Sequence, residues 1–164
     1  MQRTLVIIRH AKSSWNDLNQ TDFDRPLNER GENDAPLMGK RLKELGLLPD
    51  LIIASPAKRA KQTAKKIAEA MSYDKEDIQW EEKLYHCMPP VFEEVIYGIS
   101  NTIKTVFIVA HNPGITEFAN KLSPAFSIDN MPTCGVVAAH IHTEHWNEFN
   151  KAKKEVFLFE YPKK

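Results

Sequence analysis

Cysteine is nearly missing from this chain: Cys87 and Cys134 are the only two in 164 residues. Two thiols do not build a disulfide framework over that length, and a reducing cytoplasm is the expected compartment. Neither thiol has an arginine six positions on, where a cysteine phosphatase loop needs one; Glu93 and His140 stand there. Glycine is sparse too, at six, and no two glycines are separated by a single residue. That excludes a dinucleotide fingerprint. The Gly39-Lys40 pair has Asp34 in place of the first P-loop glycine and Arg41 in place of its Ser or Thr. A P-loop is thereby excluded as well. No apolar run comes near the roughly 20 residues a membrane helix needs. The first apolar stretch lacks the length and the cleavage site of a secretory signal. Excess charge of one sign is also absent, since 22 Lys and Arg balance 22 Asp and Glu. A balanced chain gives no global electrostatic case for nucleic acid or an anionic membrane as partner. Repeats, linkers and low-complexity tracts are lacking.

What is present is an alternation of apolar runs and helical patterns, expected to form one domain over residues 1–164 with a sizeable core. Leu5-Val6-Ile7-Ile8 reads as a strand buried on both faces and stops abruptly on Arg9-His10. Leu51 to Ala54 and Thr105 to Ala110 are two more such runs, the last ending on His111. Ile78 to Trp80 is a short strand, and Gly135 to Ile141 and Glu155 to Tyr161 are two later ones. Between them, helical spacing covers Glu32 to Leu45, the stretch from Ser55 to about Met71, Val91 to Ile99 and Gly114 to Leu122. Gly46 closes the first helix, with Pro36 in about its first turn; Ser55 caps the second, with Pro56 near its first position. Asp17 to Arg30 is polar and turn-rich, a loop. Strands alternating with helices predict a three-layer α/β/α sandwich on a mostly parallel sheet. The last two strands have no helix between them, so an antiparallel edge is expected.

In open α/β sheets ligands bind beyond the carboxyl ends of the strands. A parallel sheet would deliver Arg9-His10, the helix carrying Arg59, and His111 to one edge. Arginine suits multidentate phosphate binding, and helix N-termini after Ser55 and His111 would add N–H donors. The grouping points to a phosphoryl group. Two other patterns read blandly. His140, His142 and His145 have no cysteine or carboxylate partner at a zinc spacing, and read as a strand end turning into solvent. Lys151, Lys153 and Lys154 read as a solvated loop before the last strand.

These residues resemble a known family. Arg9-His10-Ala11-Lys12 is similar to the Arg-His-Gly signature of the histidine phosphatase superfamily, also called phosphoglycerate mutase-like. Ser55 to Ala64 (SPAKRAKQTA), His111-Asn112-Pro113-Gly114 and Arg25 to Gly31 (RPLNERG) are similar to further motifs of that family, in the same order. The short length and the Arg-His-Ala-Lys variant most resemble its SixA-type branch of small phosphohistidine phosphatases. The resemblance implies a phosphoglycerate mutase-like fold, His10 as nucleophile, and Arg9, Arg59 and His111 as catalytic groups on the phosphate. Asn16, Ser13 and Asn112 are implied as further phosphate contacts. No metal and no cofactor are expected, since two fixed guanidinium charges would serve.

One departure matters for the substrate. Many relatives carry a glutamate general acid where this chain has Leu84-Tyr85-His86-Cys87, so His86, or Glu82 just upstream, is the candidate proton donor. An alkoxide leaving group needs a strong donor. Phosphohistidine does not, because a ring already protonated leaves as neutral imidazole. The expected activity is therefore hydrolysis of phosphohistidine, on a protein or a small mimic, through a phosphohistidine intermediate on His10. Two alternatives stand beside it: a phosphatase for a small phosphate ester, and a phosphoprotein-binding module without turnover.

Overall fold

The computed structural model describes residues 1–163. In chain order its elements are β1 (Gln2–Arg9), α1 (Glu29–Glu44), β2 (Leu51–Ala54), α2 (Lys58–Ala70), β3 (Gln79–Trp80), α3 (Pro89–Tyr97), β4 (Thr105–Ala110), α4 (Gly114–Asn120), β5 (Val136–His142) and β6 (Lys153–Glu160). The sheet order is β3-β2-β4-β1-β5-β6. The first four strands in that order run parallel, β5 is antiparallel to β1, and β6 is antiparallel to β5. Only a 3₁₀ turn, Trp146–Lys151, lies between β5 and β6. That span is too short for the helical crossover a parallel pair requires, so the edge closes as a hairpin.

Side-chain alternation builds the two outer layers. Leu5 and Ile7 of β1, with Ile53, Val106 and Ile108, pack against Phe92 and Ile96 of α3 and Ile115 and Phe118 of α4. Val6 and Ile8, with Ile52, Phe107 and Val109, pack against Met38 and Leu42 of α1 and Ala64 and Ile67 of α2. Burying one such Ile or Leu contributes roughly 1.5–3 kcal/mol. A one-residue slip of β1 would move each side chain to the wrong layer, so the core itself fixes where Arg9 and His10 emerge.

Some boundaries differ from the sequence reading. The first helix starts at Glu29, because the Asn28 side chain accepts the Gly31 N–H at 2.9 Å and caps it there. Pro36 therefore sits inside the helix rather than in its first turn. Gly46 does follow the helix end, at φ +79°, a conformation other residues adopt at a cost. Lys153 and Lys154 belong to β6, not to a loop. Lys154 Nζ donates to the Ala152 carbonyl and lies 4.6 Å from the Phe149 ring centre. Among the described residues no helix is long and apolar enough to cross a membrane.

Candidate active site

Parallel register aligns three strand ends. Arg9 stands opposite Ala110, and Ala54 opposite Val109, so His10, Ser55 and His111 leave the sheet at one edge. The His10 ring is held by its own loop: Nδ1 lies 2.7 Å from the Ala11 carbonyl. A carbonyl only accepts, so the hydrogen-bond pattern places the proton on Nδ1 and leaves the lone pair on Nε2. That nitrogen faces Arg59, whose Nε–H donates to it at 3.4 Å. Burial, and then the charges of Arg59, Arg9 and Arg25, depress the His10 pKa to about 3, against the raising effect of the Ala11 hydrogen bond. His10 is thus a neutral imidazole in ordinary conditions.

His111 packs 5.1 Å from His10, centroid to centroid. Its Nε2 pairs with Ser55 Oγ at 2.7 Å. The serine oxygen also accepts the Ala57 N–H at 3.3 Å. Burial, followed by the neighbouring His10 and Arg59, lowers the His111 pKa to about 2. Nδ1 of His111 and Nε of Arg9 are buried without a hydrogen-bond partner. Leaving a buried polar group unpaired costs roughly 1–3 kcal/mol. Arg9 is anchored through Nη1 on the Met131 carbonyl at 2.8 Å, and burial plus the Arg59 charge lower its pKa.

Arg59, at the start of α2, is buried by its side chain to all but 3%. It grips one residue of the loop before α1: Nη1 donates to the Asp22 carbonyl at 2.7 Å and Nη2 to Asp22 Oδ2 at 3.0 Å. The same Oδ2 accepts from the Tyr85 hydroxyl at 2.7 Å and pairs with His86 Nε2 at 3.0 Å. Desolvation alone would raise the Asp22 pKa; the Tyr85 hydrogen bond, the Arg59 charge and the bonds from Arg59 and His86 outweigh it and hold the carboxyl below the usual range. Arg9, His10, Asp22, Arg59, His86 and His111 line one cavity of ≈ 200 Å³.

Of the other residues singled out in the sequence, Ser13 lines this cavity and accepts from Arg25 Nη1 at 2.9 Å. Asn112 lines it too, but its amide is committed elsewhere: Nδ2 donates to Asn130 Oδ1 and to the Met131 carbonyl, and Oδ1 accepts from Thr116. Asn112 thereby supports the carbonyl that anchors Arg9. Asn16 is not brought to the cavity; it is exposed on the loop, its N–H on Ser14 Oγ at 3.1 Å. Glu82 also stays outside, exposed at the start of a 3₁₀ turn, while His86 four residues later, itself exposed, lines the cavity. Ser55 does not cap α2. Pro56 favours extended backbone in the residue before it, the helix begins two residues later with Ala57 as its cap, and the Ser55 hydroxyl serves His111 instead. The three late histidines do not converge: His140 stacks on Phe157, His142 lies 3.5 Å from Glu155, and His145 pairs with Asn101.

Sequence reading missed Asp22 and Tyr85. Asp22 lies in the polar stretch between Asp17 and Arg30, where Asp17, Asp22 and Asp24 look alike. The only signal was proximity, three residues before the Arg25-Pro26 motif. Tyr85 reaches Asp22 across 63 positions of sequence, a separation no local pattern encodes.

His86 is aimed by an unusual backbone. Its φ of 53° is in the left-handed region, which non-glycine residues adopt at a cost, histidine more readily than most. The next residue packs on the start of α4, where a Cβ on Gly114 would lie 1.8 Å from the Cys87 carbonyl oxygen. Gly114→Ala is expected to cost about 3 kcal/mol, because backbone rather than a movable side chain must yield. In a chain of this size that lowers Tm by roughly 6–12 °C in thermal unfolding. An unchanged Tm would show that the Tyr85–Cys87 loop moves freely and does not fix His86.

Comparison with known proteins agrees with the geometry. Residues 5–88, which carry Arg9, His10, Arg59 and His86, match the histidine phosphatase superfamily (branch 1). An uncharacterised chloroplastic protein of Arabidopsis thaliana is 33% identical over 156 residues, covering 90% of this chain and 71% of that one. In three dimensions the SixA protein of Nakamurella multipartitia superposes with a TM-score of 0.86 at 22% identity, covering 99% of this chain and 97% of that one. A protein histidine phosphatase SixA complexed with tungstate gives a TM-score of 0.81 at 18% identity, with coverage of 99% and 97%. These two share the fold. With strand ends, motif order and matched residues in agreement, the chain belongs to the histidine phosphatase superfamily, branch 1, and so to a family of phosphatase enzymes.

Proposed function

We propose that the protein hydrolyses phosphohistidine, on a protein or a small mimic, through a phosphoryl group carried on His10 Nε2. The observation that carries this reading is the His10 tautomer: Nδ1–H on the Ala11 carbonyl at 2.7 Å, Nε2 facing Arg59. A neutral imidazole with a free lone pair beside a fixed guanidinium is a nucleophile ready for phosphorus. Its Nδ1–H bond to a carbonyl also stabilises the positive ring formed once Nε2 is phosphorylated. Arg9, Arg59 and His111 are the groups to hold the phosphoryl oxygens, and the buried, unpaired Arg9 Nε–H gains a partner when they do. Guanidinium and imidazole donors supply the charge stabilisation, so the reaction is proposed to need no metal.

Leaving-group chemistry favours phosphohistidine over an alkyl ester. The cavity's carboxyl, Asp22, is held ionised and so is a poor acid. A substrate ring protonated on its far nitrogen departs as neutral imidazole without a donor. The SixA proteins that share the fold support the same substrate class. In the second step water bonds to phosphorus, the His10–phosphorus bond breaks with its electron pair returning to Nε2, and the product leaves as dihydrogen phosphate.

Rapid quenching tests the proposal. With a labelled phosphohistidine peptide, wild type is expected to yield an acid-labile, base-stable phosphoenzyme, unaffected by chelator and absent from His10→Ala. A phosphoenzyme that persists in His10→Ala, or faster turnover of phosphate esters than of phosphohistidine, overturns it.

A further inference from the structure

We infer that Asp22 determines specificity at this site: its carboxylate faces the leaving group and selects substrates whose leaving group is a protonated imidazole. The inference rests on the proposed phosphohistidine reaction and adds a recognition element to it.

Position comes first. His10 is buried at 6% exposure and Arg59 at 2%, so nucleophile and clamp form the cavity's floor. In-line displacement puts the departing group opposite the attacking nitrogen, which sends it toward the mouth. Asp22 lines the same cavity and is far more open than either, with its side chain 40% exposed. It is not free to swing away. Besides the three bonds to Oδ2, Oδ1 accepts from Arg25 Nε at 3.2 Å.

Charge comes second. Among the residues lining the cavity, Asp22 is the one carboxylate, set against Arg9, Lys12, Arg25 and Arg59. A phosphate dianion needs the cations and has no use for a carboxylate beside them. A phosphohistidine whose ring is protonated needs both: cations for the phosphoryl oxygens and an anion for the ring. The step balances without an external acid. The His10 Nε2 lone pair forms the new nitrogen–phosphorus bond, the substrate's nitrogen–phosphorus bond breaks, and its pair neutralises the ring, which keeps the proton on its other nitrogen. Asp22 favours the protonated ring before that step. An ester builds negative charge on its leaving oxygen, and Asp22 opposes it.

The two substrates therefore respond with opposite sign. In Asp22→Asn the shape and an acceptor for Arg59 and Tyr85 remain, while the charge is gone. kcat/KM for a phosphohistidine peptide is expected to fall and that for p-nitrophenyl phosphate to rise, so that their ratio drops by about tenfold, the scale of one partly exposed charge contact. Asp22→Glu is expected to restore most of the ratio. Because both rates come from one preparation, partial misfolding cancels. Loss of both activities in equal proportion would mean that Asp22 only positions Arg59, and overturns the inference. A ratio that holds or rises does the same. Failure of the underlying reaction shows separately, as a wild type that forms no phosphoenzyme from the peptide.

Discussion

Arg59→Met is expected to lower kcat/KM for a phosphohistidine peptide by about 10³, near the upper end of what one lost oxyanion donor costs. Among the described residues, Arg59 is the one cation that touches both His10 Nε2 and Asp22. Removing it would take charge from the phosphoryl oxygens and leave Asp22 with Arg25 as its remaining guanidinium partner among the described residues. Stability is expected to change little, by about 1–2 kcal/mol at most, because the Asp22 side chain left behind is 40% exposed and keeps its bonds from Arg25 and Tyr85. Arg59→Lys should recover only part of the activity, since an ammonium cannot reach His10, Asp22 and a phosphoryl oxygen at once. Steady-state kinetics beside urea unfolding checks both halves. A variant that loses activity only in step with its stability would place Arg59 in the fold rather than in the chemistry.

Acid should unfold this protein from an unusually high pH. The pKa of His10 falls from 6.5 to about 3 on folding, and that of His111 from 6.5 to about 2. Both rings are neutral in the fold and gain protons in the unfolded chain. Their contribution is whole above pH 6.5 and is lost progressively as pH drops from there toward 3. Each proton taken up on unfolding removes roughly 1.4 kcal/mol per pH unit, so the pair removes about 2.8. Asp22 acts in the same direction lower down. Its depressed pKa gives stability that is present above the ordinary carboxylate range and lost below it. Urea midpoints measured from pH 8 to 4 are expected to be level above pH 7 and to fall steeply below 6. His10→Asn should remove one proton's worth of the slope. A midpoint that is level down to pH 5 would show that neither ring is held neutral by the fold.

Residues that end a buried strand were legible because two constraints meet there. Alternation requires every side chain of Leu5 to Ile8 to be covered, and coverage on both faces requires a parallel sheet whose carboxyl edge is shared. Arg9, His10 and His111 follow from that edge, and Arg59 from the helix behind it. Asn112 was legible as a neighbour of the site but not in its task, since its partners Asn130 and Met131 come from a distant loop. Asn16 and Glu82 are not brought to the cavity, because neither a resemblance of motif nor nearness in sequence says which way a turn faces.

By itself, the sequence determined the layers, the strand ends and the edge at which His10, Arg9, Arg59 and His111 meet, because periodicity and burial are properties of short segments. Only the tertiary structure decided which nitrogen of His10 is bare, that Ser55 serves His111, and that Asp22 joins the site. Those facts depend on hydrogen bonds between groups far apart in sequence. Their direction is fixed by packing, and no local pattern of residues records it.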